Sequence, residues 1–247
     1  MVEKKLAVTR FKTLQAKASS IVASSADSDI LSNNRVTGWS VNFPIGATCQ
    51  PSKLCADTCY GLKGPITWSA SLAKQRRNLE WCKKDTEGFV AQLEKECKKK
   101  LRRNPKFYLR WNGVGDLFPE SVEAVKELNR RMPDLPIWCV SRIPKFALQL
   151  LHTPGVWVHF SLDNASMDRY SAVKKDIGQA ANSFFSYQCA PEEELIDLPL
   201  GVKVLFFDGY QIKPANSHWV GEEVTCPLNL QADITGTCSR CRRCFGG

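Results

Sequence analysis

Long apolar runs are missing from this chain, and so are the motifs of the common hydrolases and nucleotide-binding enzymes. No stretch approaches the ~18 consecutive apolar residues that mark a membrane-spanning helix. The start, Met-Val-Glu-Lys-Lys-Leu-Ala, is too charged for the apolar core of a secretion signal. Histidine is scarce: His152, His159 and His218 are scattered, with no His-x3-His spacing, and each reads as structural rather than as a metal ligand. No Walker loop, nucleophile elbow or paired-carboxylate hydrolase pattern is present. These absences point to the cytoplasm, exclude a membrane partner, and leave the chemistry to other residue types.

Cysteine is what the chain has in excess, with eleven in 247 residues. In a secreted protein they would suggest disulfides, but the odd count and the missing secretion signal oppose that. In a reducing cytosol, clustered Cys-x2-Cys spacings point to metal or cluster ligation. The length suits a sizeable core, and 43% hydrophobic with 24% charged residues is ordinary for a globular protein. The formal charge of +9 counts every cysteine as neutral. A four-thiolate cluster site carries about −2, so the holo-protein is less basic than it looks and the case for nucleic acid weakens.

The cysteines fall into two nests. Thr48–Tyr60, T-C-Q-P-S-K-L-C-A-D-T-C-Y, gathers Cys49, Cys55 and Cys59 in a polar, proline-interrupted loop with no aliphatic face for them to fill. The tail holds Cys226 and then Cys238, Cys241 and Cys244 in T-C-S-R-C-R-R-C-F. Cys-x2-Cys-x2-Cys is the spacing by which ferredoxin-type loops wrap a cubane, and Cys226 can supply a fourth thiolate. The alternative is a four-cysteine zinc site, with Arg240, Arg242 and Arg243 contacting nucleic acid. Two sites are the first expectation, one cluster drawing on both segments the second, with Cys189 a further candidate ligand. Cys82, Cys97 and Cys139 sit in apolar patterns and read as buried structural thiols.

Between the nests runs a β/α rhythm. Residues 1–36 read as an N-terminal arm with one short helix, and Thr37–Pro44 alternates as a strand. Ile66–Lys84 is expected to be helical with Trp68, Leu72, Leu79 and Cys82 near one face. Phe89–Leu101 places Phe89, Leu93, Cys97 and Leu101 four apart, a second amphipathic helix; the basic run at its end reads as a solvated helix terminus. Strands follow at Lys106–Trp111, Pro136–Ser141, Val156–Ser161, Ser183–Gln188 and Val202–Phe207. Helices are expected at Glu120–Met132 and Lys145–Leu151, near Ser166–Ile177 and from Pro191. Trp39, Trp68, Trp111, Trp138 and Trp157 read as core. About six strands alternating with helices predict an α/β protein with a parallel sheet, closed wholly or partly into a (β/α) barrel or opened into a doubly wound layer. One domain is expected over 1–247: the arm 1–36, the β/α core 37–208, and a loop-rich tail 209–247 pinned by its cysteines.

Sites in such folds form at the carboxyl ends of the strands, and those ends are polar here. The first leads into the Cys49–Cys59 loop. The second carries Arg110, Asn112, Gly113, Gly115 and Asp116, the third Ser141 and Arg142, the fourth Ser161 and Asp163. A cysteine loop after strand one and a Gly-rich acidic turn after strand two resemble the radical-SAM barrel superfamily. That resemblance implies a [4Fe–4S] cluster on Cys49, Cys55 and Cys59, with its open iron and the turn at Gly113, Gly115 and Asp116 holding S-adenosylmethionine. Arg110, Asn112, Ser141, Arg142, Ser161 and Asp163 would line the ligand pocket. The pattern Cys-x5-Cys-x3-Cys-Tyr, the Gly-x-Gly-Asp turn and the closing cysteine run are more closely similar to an uncharacterised family of phage-encoded cysteine-rich proteins, from about Gly38 to Phe245. That likeness implies an iron–sulfur protein with a radical-SAM-like barrel in a host cytoplasm. Two departures stand out: both gaps in the cysteine loop are longer than Cys-x3-Cys-x2-Cys, and Asp116 is one methylene shorter than the usual glutamate. The expected function is iron–sulfur binding with redox, electron-transfer or radical chemistry, toward a redox partner or small-molecule substrate.

Overall fold

Apolar residues spaced for one helical face make the three long helices that carry the core. α3 (Ser69–Lys84) buries Leu72, Leu79 and Cys82, and α4 (Thr86–Arg103) buries Phe89, Val90, Leu93 and Cys97. The two are joined at Asp85, whose side chain accepts the Gly88 N–H at 2.9 Å and caps the start of α4. Lys100, Arg102 and Arg103 close α4, where cations suit the helix dipole. α5 (Pro119–Arg131) opens with proline at its first turn and turns Val122, Val125 and Leu128 inward. Except at Trp68, which precedes α3, these stripes face the core as the sequence places them.

The computed structural model describes residues 2–23, 29–34, 37–166, 168–171, 183–189, 204–208, 238–242 and 245. Its other helices are α1 (Val2–Ser20), α2 (Lys53–Thr58), α6 (Pro144–Ala147), α7 (Asp168–Ser171) and α8 (Cys238–Cys241). The strands are β1 (Ser32–Asn34), β2 (Gly38–Val41), β3 (Leu109–Trp111), β4 (Ile137–Ser141), β5 (Val156–Leu162), β6 (Ser183–Cys189) and β7 (Val204–Asp208). They form one mixed, mostly parallel sheet in consecutive order, β1 antiparallel to β2 and every later pair parallel.

Strand alternation sorts the side chains. Val41, Leu109, Trp111, Ile137, Cys139, Val156, Val158, Phe160 and Leu162 meet α3, α4 and α5 in the main core. Phe43 sits at its centre, 6.2 Å from Trp111, 6.4 Å from Phe89 and edge-on to Phe118 at 4.9 Å between ring centroids. Tyr108, Arg110, Trp138, Val140, Trp157 and His159 take the opposite, inner face.

Four expectations change. The N-terminal arm is a 19-residue helix followed by a strand. Phe11, Leu14 and Ala18 of α1 pack on Ile45, Ala56, Leu72 and Val114, so the helix braces the first cysteine loop from outside. Trp68 does not turn inward: it is the residue before α3, in extended backbone, and is 64% exposed. Trp39 and Trp157 are half-buried rather than core. The tail is held by more than cysteine, because Phe245 is buried against Tyr108 and Trp138 at ring separations of 4.0 and 5.7 Å. The helix from Pro191, the rest of the helix beyond Ser171, and His218 lie outside the described residues. Among the described residues no helix is long and apolar enough to cross a membrane.

Candidate functional site

The loop between β2 and α3 takes its shape from polar side chains. Asn42 Oδ1 accepts the Val114 N–H and the Ser40 hydroxyl, both at 3.1 Å, and Phe43 N donates to the Val114 carbonyl at 3.1 Å. The first cysteine loop and the turn after β3 are thereby laced together beyond the ends of the strands. Gly113 and Gly115 belong to this lacing. A Cβ at Gly113 would stand 2.2 Å from Asn42 Oδ1, and Gly115 holds φ +86° with the Phe43 carbonyl 2.9 Å from where its Cβ would be. Close backbone approach accounts for both glycines.

Ser52 then starts α2: its hydroxyl accepts the Cys55 N–H at 3.1 Å. Cys55 rides on α2, Cys59 ends it, and Cys49 precedes it. The three thiols are near enough for charges to be felt between them: Cys59 and Cys55 each raise the pKa of Cys49, and Cys59 raises that of Cys55. Burial is the main influence on all three and holds them protonated. Cys55 is pushed up to about 11 and pulled back by Arg142. Cys49 is pushed higher by burial and then by Asp116, while Cys59 is raised by burial. Backbone amides oppose this, Gly46 at Cys49, and Gly61 and Leu62 at Cys59, so the loop donates N–H groups to the sulfurs. Cys82 and Cys139, buried in the core and pushed up to about 12, are not so provided.

Asp116 sits behind the nest, 5% exposed. It accepts the Ser141 hydroxyl at 2.6 Å, the Leu117 N–H at 2.7 Å and the Arg142 N–H at 3.0 Å. Its own N–H donates to Thr48 Oγ1 at 2.8 Å, tying the β3 turn to the cysteine loop. Arg142 pairs with Asp163 at 2.9 Å, both side chains buried. Asp163 also accepts the hydroxyls of Ser52 and, at 2.8 Å, of Ser166. The ends of β3, β4 and β5 and the cysteine loop are thus one hydrogen-bonded unit.

Burial pushes the Asp116 carboxyl up to about 6 against the three hydrogen bonds that favour its charge. The unfolded value is about 3.9, so between these values the native chain binds more protons than the unfolded one, and the folded state loses stability as pH rises through that window. Asp116→Asn should gain about 2 kcal/mol on the native chain between pH 4 and pH 7. Urea midpoints at the two pH values measure it; a difference between variant and native chain that does not change with pH would rule this out.

The structure therefore brings together Cys49, Cys55, Cys59, Asp116, Ser141, Arg142 and Asp163. Arg110 and Asn112 lie beside them at the end of β3, while Ser161 is half-buried on the inner face of β5, between buried Phe160 and Leu162. Cys238 packs beside Tyr108, Trp138 and Phe245, under the inner face. Cys241 ends α8, Cys226 and Cys244 lie outside the described residues, and of Cys189 only the backbone, at the end of β6, is described. Sequence reasoning missed Thr48, Ser52, Tyr60 and Ser166; of these only Ser52 had a signal, as a cap residue three before Cys55. Among the described residues no three Cys, His, Asp or Glu side chains are drawn tightly enough to hold a single metal ion. A family model described as Gene product 88 matches residues 7–247. No curated protein and no solved structure matches the chain.

Proposed function

We propose, from the premise that the chain belongs to the gene product 88 family, that it is an iron–sulfur protein built on a partial, radical-SAM-like (β/α) barrel. The observation that carries this reading is the gathering of Cys49, Cys55 and Cys59 beyond the carboxyl ends of the parallel strands, with amide donors at two sulfurs and Arg142 favouring the thiolates of Cys55 and Cys59. Amide hydrogen bonds and a nearby cation are what a thiolate-held cluster requires, since they spread its negative charge. A cubane also asks its thiolates to stand further apart than a single zinc ion does, which suits thiols that sense one another without closing on one point. When bound, the cluster would supply one-electron chemistry. The chain's own part is to hold the sulfurs, bury them and fix them to the strand ends through Thr48, Ser52, Asp116 and Asp163.

The barrel is supported by strand order. Parallel strands in consecutive order have the described helices α3, α4 and α5 on one face, and a sheet covered on one face curls toward closure. S-adenosylmethionine is not required by this reading: Asp116, where the resemblance would have it grip the methionyl amine, already accepts three hydrogen bonds from the chain. The family's numbered gene-product description fits a phage protein acting in a host cell, and a cluster held there would serve a redox partner or a small molecule.

Iron, sulfide and zinc content of anaerobically purified protein, with the paramagnetic resonance of the reduced form, tests the proposal. Iron and sulfide together are expected; a colourless, zinc-loaded chain would sink it and leave the zinc protein with a basic, nucleic-acid-contacting tail. The tail pair Cys238→Ala with Cys241→Ala is expected to lower iron per chain without removing it, because Cys238 packs with Tyr108, Trp138 and Phe245 while Cys59 packs in a different apolar cluster. Complete loss would mean one cluster ligated by both segments.

A further inference from the structure

Two stretches of this chain carry cations and no acid, and the fold packs them side by side. No Asp or Glu stands between Glu3 and Asp27, or between Asp57 and Glu80. Phe11, Leu14 and Ala18 of α1, from the first stretch, share an apolar cluster with Leu62, Ile66 and Leu72 of the second. Lys17 Nζ donates to the Thr67 carbonyl at 3.2 Å and closes the seam between them. The carboxylates that bound the second stretch are already paired, Asp57 with Lys53 and Glu80 with Arg76. Val22, Tyr60 and Trp68, the large hydrophobic residues left exposed among those described, all lie in these two stretches.

The seam sets charge around an indole. Lys17 reaches the residue before Trp68, whose ring is 64% exposed and makes no capping bond to α3. Arg10 stands seven residues before Lys17, on the same flank of α1 and about 11 Å along it. Lys63 lies between two tight turns, its N–H donating to the Tyr60 carbonyl at 3.3 Å and the Trp68 N–H to the Pro65 carbonyl at 3.2 Å, so that the chain from Tyr60 to Trp68 stays compact. Arg10, Lys17 and Lys63 are all exposed. Protein interfaces are built on a contiguous apolar centre with charge kept to the rim. Here a single large ring stands among cations, which is how a single strand of nucleic acid is held: a base stacks on the ring and phosphates meet the charges.

We infer that Trp68, with Arg10, Lys17 and Lys63 around it, is a binding face for single-stranded nucleic acid. It needs no iron and lies apart in sequence from the tail arginines, so its test is separate from that of the cluster. Full-length, anaerobically purified chain is titrated into a fluorescein-labelled short oligothymidylate, and the anisotropy is followed over a range of salt concentrations. Saturable binding is expected, weakening with salt at a log–log slope of about −2 for three phosphate contacts. Trp68→Ala should weaken it roughly tenfold at a fixed salt concentration and leave the slope unchanged, and Trp68→Phe should recover much of the loss, because the ring face is what stacks. Lys17→Gln and Lys63→Gln should each reduce the slope by about 0.7. Urea midpoints of the variants confirm that the fold is kept, and any one variant that folds decides by itself. Unlabelled oligothymidylate should displace the labelled strand better than duplex DNA or polyglutamate of equal charge. Equal displacement by the duplex means that no base is stacked, and equal displacement by polyglutamate means that an acidic protein is the partner; either result overturns the inference. So does the absence of saturable binding, or binding that Trp68→Ala leaves at the native level.

Discussion

Cys49→Ser, Cys55→Ser and Cys59→Ser should each strip the iron of the first site, while Cys97→Ala should leave it intact. The contrast separates ligation from burial, because both kinds of thiol are enclosed. Cys97 lies on α4 among Phe89 and Leu93 with no exposure, and Cys82 and Cys139 are packed alike. Removing one of these leaves a cavity and costs stability, about 1–3 kcal/mol for so small a side chain, with no reason for iron to be lost. The nest thiols are held differently, on a short capped helix and its flanks, with amides at two sulfurs and Arg142 beside two. Serine reproduces their size and hydrogen bonding but is a poor ligand to iron, so iron per chain should fall with little change in fold. Proton release gives the same experiment a second readout. The three thiols are kept protonated by burial, and ligation must displace those protons. Iron uptake by the apo chain should therefore strengthen as pH rises toward 9, and uptake independent of pH would contradict thiolate ligation here. Iron retained at the native level in all three serine variants would refute the assignment of this loop.

What the sequence makes plain is the periodic part. α3, α4 and α5 bury stripes visible as apolar residues three and four apart, and the strands from β3 onward alternate or run apolar as buried parallel strands do. The position of the first cysteine nest beyond the strand ends follows from the same rhythm. β1 was invisible because Ser-Asn-Asn is a polar edge segment with no alternation to detect. α1 is underestimated because its inward residues Phe11, Leu14 and Ala18 sit within a run of lysines, threonines and serines, and what they pack against lies far along the chain in Ile45, Ala56, Leu72 and Val114. Gly113 and Gly115 looked like a ligand-gripping turn, whereas the space around them is filled by Asn42, Ser40, Phe43 and Thr48. Asp116, Arg142 and Asp163 were each visible as polar strand ends. That Asp163 would neutralise Arg142, and that Ser141 and two amides would occupy Asp116, are long-range pairings no local pattern encodes.

Arg142→Met should cost the fold about 3–5 kcal/mol, the range for removing one partner of a buried ion pair. The pair is enclosed, with Arg142 side-chain exposure at 7% and Asp163 at 1%. Without the guanidinium, Asp163 keeps two hydroxyl donors, from Ser52 and Ser166, but among the described residues no paired cation to repay its desolvation. The Coulombic gain is lost and the burial cost stays. Replacing both partners, Arg142→Met with Asp163→Leu, removes that cost from both sides and should recover much of the loss, since apolar groups of similar volume often replace a buried pair without penalty. Urea midpoints of the three chains measure this, and equal destabilisation in the single and double variants would contradict it. The double variant also divides two duties that Arg142 performs at once. It restores the packing where β4 and β5 end, but it cannot restore the cation that favours the thiolates of Cys55 and Cys59. A chain that folds nearly as well as the native one yet holds its iron more weakly is therefore the expected result. Were iron retention to track stability alone, Arg142 would be a brace between strand ends and nothing more.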